Sequence, residues 1–369
     1  MRRLFLALAA AAAALPALAA SAALPRTEAI EAGAAYIRTT QQADGGYASS
    51  PGQSMDAIFA LRAAGYDPAK ETAGGTSPSG YLKANAAGAK TAASAAKGAL
   101  AAKALGLDPK AVNGTDLIAA VSSAYKTETG AYADDDFSQS IAMIGLACTG
   151  NPVGAKAADA LRGKQVAKDG GWGFAGASDA DTTAIAIQAL IAAGVPKTDP
   201  AVVKALAYLK ATQGNDGGWG FDPSESNVSS TAYAVQALIA LGEDPSAAAW
   251  AKGGVTPIAY LLSQQNADGS FKGFDPAYAT NQALPALAGR TFCNAPETAV
   301  TRTAPVATPV ATSSPSPAAT PAVTTPAAPN PPSTGNSAGA SGGRDELPVL
   351  LIAAALLAGG AALAARGRR

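Results

Sequence analysis

A short glycine-rich turn closed by an aromatic residue recurs along this chain and limits what it can fold into. It reads Asp44-Gly45-Gly46-Tyr47, Asp169-Gly170-Gly171-Trp172-Gly173-Phe174, Asp216-Gly217-Gly218-Trp219-Gly220-Phe221 and Asp268-Gly269-Ser270-Phe271. A glutamine stands shortly before each, at Gln42, Gln165, Gln213 and Gln265. Glycine reaches backbone angles closed to other residues, aspartate bonds to its own turn, and the aromatic ring can cover a seam between neighbouring elements. The segments read as joints in a repeat.

A second marker has the same period. A turn residue followed by proline occurs at Asp67-Pro68, Asp108-Pro109, Asn151-Pro152, Asp199-Pro200 and Asp244-Pro245, at intervals of roughly 41 to 48 residues. With a last unit ending near Gly289, the ordered part counts as six units. Each holds two kinds of helix. The run Val202 to Lys210 has one apolar and one polar face, which suits an outer helix. The runs Thr183 to Ala193 and Thr231 to Ala240 are apolar nearly all round and belong inside. Alternating outer and inner helices predict an all-α fold, a single (α/α)6 toroid of six helix-pair repeats over residues 24–293. An open solenoid would need polar capping repeats, which the sequence lacks.

Both ends carry targeting features. Arg2 and Arg3 precede an apolar run and small residues, so residues 1–23 read as a signal peptide. Residues 294–346 are rich in Pro, Ala, Thr, Ser and Gly and read as a disordered stalk. Residues 347–365 form an apolar stretch long enough for a transmembrane helix, followed by a basic tail at 366–369. Acidic Asp345 and Glu346 before the stretch and Arg366, Arg368 and Arg369 after it place the tail in the cytoplasm and the toroid outside. Pro331-Pro332-Ser333-Thr334-Gly335 is similar to a degenerate sortase signal, which would add attachment to the cell wall.

The chain has 27 basic and 27 acidic side chains and no histidine. Zero net charge gives no argument for nucleic acid as a partner. Missing histidine removes the usual base near neutral pH and the commonest zinc ligand. In an exported chain Cys148 and Cys293 are expected to pair, which would pin the tail across one end of the ring.

The glutamine, glycine and tryptophan of these joints, each opening an inner helix, resemble the QW motif of the squalene cyclase and protein prenyltransferase repeat superfamily. The likeness is good in units one, four, five and six, and rests on helix length and punctuation in units two and three. It implies the toroid already reached by counting. Asp179-Ala180-Asp181-Thr182-Thr183-Ala184 resembles the Asp-x-Asp-Asp-Thr-Ala box of class II terpene cyclases, with Thr182 in place of an aspartate. The resemblance implies Asp181 as the acid that protonates an alkene, with Asp179 beside it. Against this, the inner helices are mostly Ala, Ile, Leu and Thr, and the family's cyclases use a second helical barrel for which this chain has no room. Protein prenyltransferases hold zinc with a histidine that is absent here. Complement-like thioester domains need a motif that the surroundings of Cys148 lack. Cobalamin carriers share the ring but add a lid domain that is missing.

Alignment on the inner helices puts Asp134, Asp135 and Asp136 at the height of Asp179 and Asp181 on the neighbouring spoke, so one mouth of the ring should be acidic. Asp222, Glu225 and Asp275 extend that rim. Such oxygens could hold calcium; no other cofactor is expected. The candidate ligand-binding set is Asp134, Asp135, Asp136, Asp179, Asp181, Thr182, Trp172 and Trp219. Asp179 and Thr182 have a plainer reading as helix caps, with Asp181 complementing the helix dipole. The expected function is a membrane-anchored surface module that binds a small molecule, peptide or glycan. A cyclase or prenyltransferase-like enzyme using Asp181 is the alternative, and a purely structural spacer the third reading.

Overall fold

The structure is a computed structural model that describes residues 16–298 except Ser49, Ala73 and Gly74, with side chains from Arg26 onward. Of the expected stalk 294–346 all beyond residue 298 lies outside the described residues, as do the transmembrane helix 347–365, the basic tail and residues 1–15 of the expected signal peptide 1–23, whose last residues fall within the first helix. Among the described residues no helix is long and apolar enough to cross a membrane.

The described chain is mostly helical. In order it forms α1 (Pro16–Thr39), α2 (Pro51–Ala63), α3 (Pro78–Asn85), α4 (Ala92–Ala104), α5 (Leu117–Ser123), α6 (Asp136–Cys148), α7 (Ala157–Gly163), α8 (Ala180–Ala192), α9 (Pro200–Thr212), α10 (Val228–Leu241), α11 (Pro257–Ser263) and α12 (Pro276–Leu287). A hairpin of β1 (Trp172–Phe174) and β2 (Ala177–Asp179) pairs Trp172 with Asp179 just before α8. The even-numbered helices touch their neighbours in sequence, and α12 packs against α2, closing a toroid of inner helices. The odd-numbered helices lie against them as an outer layer.

Small side chains let the inner helices approach closely. A methyl group added at Gly145 of α6 would lie 2.4 Å from Cβ of Ala96 on α4. Each inner helix begins with a side-chain cap: Ser50, Thr91, Asp135, Asp179, Asn227 and Asp275 accept from backbone N–H groups of the first turn. The turn-proline pairs fall in the links between an inner helix and the next outer segment. Asp199 caps α9, with Pro200 in its first turn, so this signal opens an outer helix instead of closing an inner one.

The joints tie the layers together. The aromatic is sealed in the core while its backbone N–H donates to a hydroxyl on the inner helix it introduces. These bonds are Tyr47 to Ser54, Trp172 to Thr183, Trp219 to Thr231 and Phe271 to Thr280, each 2.9 Å. The upstream glutamine reaches sideways to the next outer segment. Gln165 Nε2 donates to Ala201 O at 2.8 Å, Gln213 to Trp250 O at 2.8 Å, and Gln265 to Ala29 O at 2.8 Å, joining the last unit to the first. In the first unit this role falls to Gln41, which contacts Glu71 O at 3.4 Å, and not to Gln42, which bonds only to Thr40 O nearby. The third unit uses a related device with neither a turn glutamine nor a tryptophan. Lys126 bridges to Ala131, and buried Tyr132 donates its N–H to Gln139 Oε1 at 2.6 Å.

Cys148, at the end of α6, and Cys293, after α12, form a disulfide with Cα atoms 4.4 Å apart. The tail therefore crosses one end of the ring to the opposite spoke, and Phe292 stacks on Phe59 with centroids 4.9 Å apart.

Replacing Gln213 with Ala leaves the carbonyls of Gly217 and Trp250 without their donor and should lower stability by about 1–3 kcal/mol. Gln42→Ala should stay within about 0.5 kcal/mol of the parent. Urea denaturation of the two variants measures the difference, and equal losses would contradict the staple.

Candidate functional site

At the end of the ring where the inner helices begin, polar and aromatic side chains face one another across several spokes. Asp181 sits in the first turn of α8, beside capping Asp179. Its Oδ1 is covered and has no hydrogen-bond partner. Burial raises the Asp181 pKa to about 7; a bond from the Ser230 hydroxyl on α10 draws it down, and the charge of Asp179 pushes it up. Near neutral pH a substantial share of this carboxyl keeps its proton.

Asp179 has a different task. Its Oδ1 accepts from Thr182 N at 2.7 Å and its Oδ2 from Thr182 Oγ1 at 2.9 Å. Burial raises its pKa to about 6; these bonds lower it, and Asp136 on the neighbouring spoke raises it. Both oxygens are engaged in starting the helix, which holds Asp181 in place.

Asp136 is buried and its carboxyl is 3.2 Å from Lys164 Nζ. Burial raises its pKa first, with Lys164 opposing. Asp134 and Asp135 do not join it. Asp134 is exposed and pairs with Lys126 at 3.1 Å, while Asp135 caps α6 through Ser138 N at 2.7 Å. Asp275 caps α12, and Asp222 binds Ser224 in its own exposed turn. These aspartates serve turns and caps instead of one rim, and among the described residues no group of three or more His, Cys, Asp or Glu converges to hold a metal ion.

Trp172 and Trp219, expected at the ligand, are fully buried. Their indole N–H groups donate to Leu161 O and Leu209 O, each at 2.7 Å. No face is left for a ligand, because both rings fill the seam between outer and inner helices.

The remaining mouth residues were not singled out from the sequence. Tyr233 on α10 and Tyr278 on α12 share a hydrogen bond of 2.9 Å between their hydroxyls. Phe137 on α6 meets Tyr233 edge-on at 5.9 Å. Burial, first of all, keeps both phenols protonated, and the charges of Asp56 and Asp181 reinforce this in each. Asp56 on α2 is paired with Lys97 on α4 at 2.9 Å. Measured from the seam hydroxyls, Asp181 and Tyr278 lie two residues before Thr183 and Thr280, while Asp56 and Tyr233 lie two residues after Ser54 and Thr231. That register was the available signal.

Below the mouth the axis narrows to a hollow too tight for water, walled by Asp56, Phe59, Gln236, Asn281, Pro285 and Phe292. Both amide atoms of Gln188 and Gln236 and the Asn281 oxygen are buried without partners.

Residues 137–286 match the family model for the squalene-hopene cyclase C-terminal domain. Over that span the toroid is similar to the squalene cyclase and prenyltransferase repeat superfamily. The match takes in Asp179, Asp181, Tyr233 and Tyr278. A variant of the type II terpene cyclase MstE from Scytonema, in complex with the product merosterolic acid A, is 16% identical with a TM-score of 0.52, covering 72% of this chain and 97% of that one. Another MstE variant, holding the substrate geranylgeranyl dihydroxybenzoate, gives 14% identity and a TM-score of 0.51, with coverage of 72% and 97%. A glycosidase variant in complex with glucose gives 12% identity and a TM-score of 0.50, with coverage of 73% and 99%. These likenesses are of fold. No curated protein matches the sequence significantly. The ring covers the MstE chain almost end to end.

A carboxyl whose folded pKa is raised holds its proton where the unfolded chain has lost it, so stability declines as pH rises from about 4 to about 7. Asp181→Asn keeps the shape and removes the charge. Denaturation at pH 5 and pH 8 should show a larger loss for the parent than for the variant; equal losses would mean that Asp181 titrates as in water.

Proposed function

We propose that the ring is a terpene cyclase-like enzyme in which Asp181 is the general acid. The observation that carries this is a carboxyl with a pKa of about 7 at the start of an inner helix, its Oδ1 unpartnered, with Phe137, Tyr233 and Tyr278 placed around the same mouth. A neutral acid near the working pH can give its proton to an alkene carbon, and the carboxylate left behind is held by Ser230. The positive charge formed on the substrate would be stabilised by the ring faces and by that carboxylate. A second double bond of the substrate then attacks the cation, closing a ring, and loss of a proton ends the sequence. The narrow axis favours a short isoprenoid end group at the mouth over deep insertion.

The match of residues 137–286 to a cyclase domain supports the reading over a pure binding module, and the MstE chains have this ring as nearly their whole length. The proposal includes the location expected from the termini: the ring displayed outside the cell on a stalk anchored by residues 347–365, with no metal or organic cofactor.

The test incubates the full chain with squalene and with geranyl-, farnesyl- and geranylgeranyl-bearing substrates, and looks for cyclic products by mass spectrometry. Product should form with the parent, fall about 10²–10⁴-fold in Asp181→Asn, and decline above about pH 7 as the acid is lost. Binding without product from any substrate would replace the enzyme with a ligand-binding surface ring.

A further inference from the structure

The end of the ring opposite Asp181 is not solid. The last turns of α2 and α4, the link after α4 and the tail after α12 enclose a cavity of about 320 Å³, at the lower end of the range for small-molecule sites. It shares the walls Phe59 and Phe292 with the tight hollow described above, and none of the mouth residues lines it.

Its walls have two characters. Phe59, Leu100, Leu107 and Phe292 are apolar, while Arg62 and Lys103 bring positive charge against the single carboxylate of exposed Glu297. The Arg62 guanidinium is buried: Nε donates to Ala104 O at 2.7 Å, Nη2 pairs with Asp67 at 2.9 Å, and Nη1 has no partner. Lys103 Nζ donates to Cys148 O at 2.7 Å and forms no ion pair among the described residues. Both cations answer the carbonyls at helix C-termini, which explains some of their donors. It leaves Nη1 of Arg62 and the charge of Lys103, which Glu297 on the same wall does not pair. A buried donor without a partner costs free energy that an anionic acceptor would recover.

We propose that this cavity is a second binding site, distinct from the mouth, for a small anion with an apolar body, such as a carboxylate on a short aliphatic chain. The carboxylate meets Arg62 and Lys103, and the chain lies among Phe59, Leu100, Leu107 and Phe292. The wall carrying Phe292 is fixed by the Cys148–Cys293 bond, so the site exists in the oxidised protein.

Titration of the full chain with decanoate and with decanol, followed by calorimetry, tests this. Decanoate should bind saturably at one site, with decanol at least tenfold weaker. Lys103→Met, which keeps an apolar stem, should weaken decanoate at least tenfold and leave decanol unchanged. Leu107→Trp, which fills the cavity, should abolish both, and Cys293→Ser should weaken both by loosening the wall. Circular dichroism would confirm that each variant is folded. Equal affinity for acid and alcohol, no saturable binding, or binding that survives Leu107→Trp would overturn the proposal.

Discussion

The structure depends on what happens to the polar backbone at the joints between outer and inner helices. A sharp turn buried under a tryptophan would strand an N–H group in the core, at a cost comparable to a lost hydrogen bond. Each such N–H is met by an inner-helix acceptor, Ser54, Gln139, Thr183, Thr231 or Thr280, and the turn glutamines carry the connection to the next spoke. Because Gln265 makes the same bond back to Ala29, the pattern closes on itself, and the inner helices are covered all round.

That closure fixes the register of the inner helices and so decides which side chains reach the mouth. Asp181 faces Ser230 on the next spoke because Thr183, two residues on, is anchored to Trp172. Its acidity follows from location: the ring removes water from around the carboxyl, while Asp179 is held by its bonds to Thr182. Two aspartates two residues apart thus take different roles, one setting the helix and one left free to titrate.

Much of this could be read from the sequence because repetition averages out noise. Inner and outer helices were separable at α8, α9 and α10 because exposure of one face leaves polar residues at helical spacing. The third unit was hidden, since Tyr132 and Gln139 do the work of tryptophan and threonine with different letters. Gln41 and Gln42 were confused because adjacent identical residues differ only in direction. At the mouth, Asp179 and Asp181 stood out as a linear motif. Tyr233 and Tyr278 meet only through folding, and no spacing along the chain announces a pair of hydroxyls on neighbouring helices. The acidic run at Asp134 and Asp135 misled because charge alone does not say which carboxylate serves a cap.

The sulfur bridge from the third spoke to the tail has a consequence for damage. The residues between Cys148 and Cys293 make up half of the circle, and both their ends are tied to one covalent point. A protease that nicks any loop in that half severs the polypeptide once but releases no fragment. The broken ring stays a single molecule, and a gel run without reductant would show it at unchanged mass.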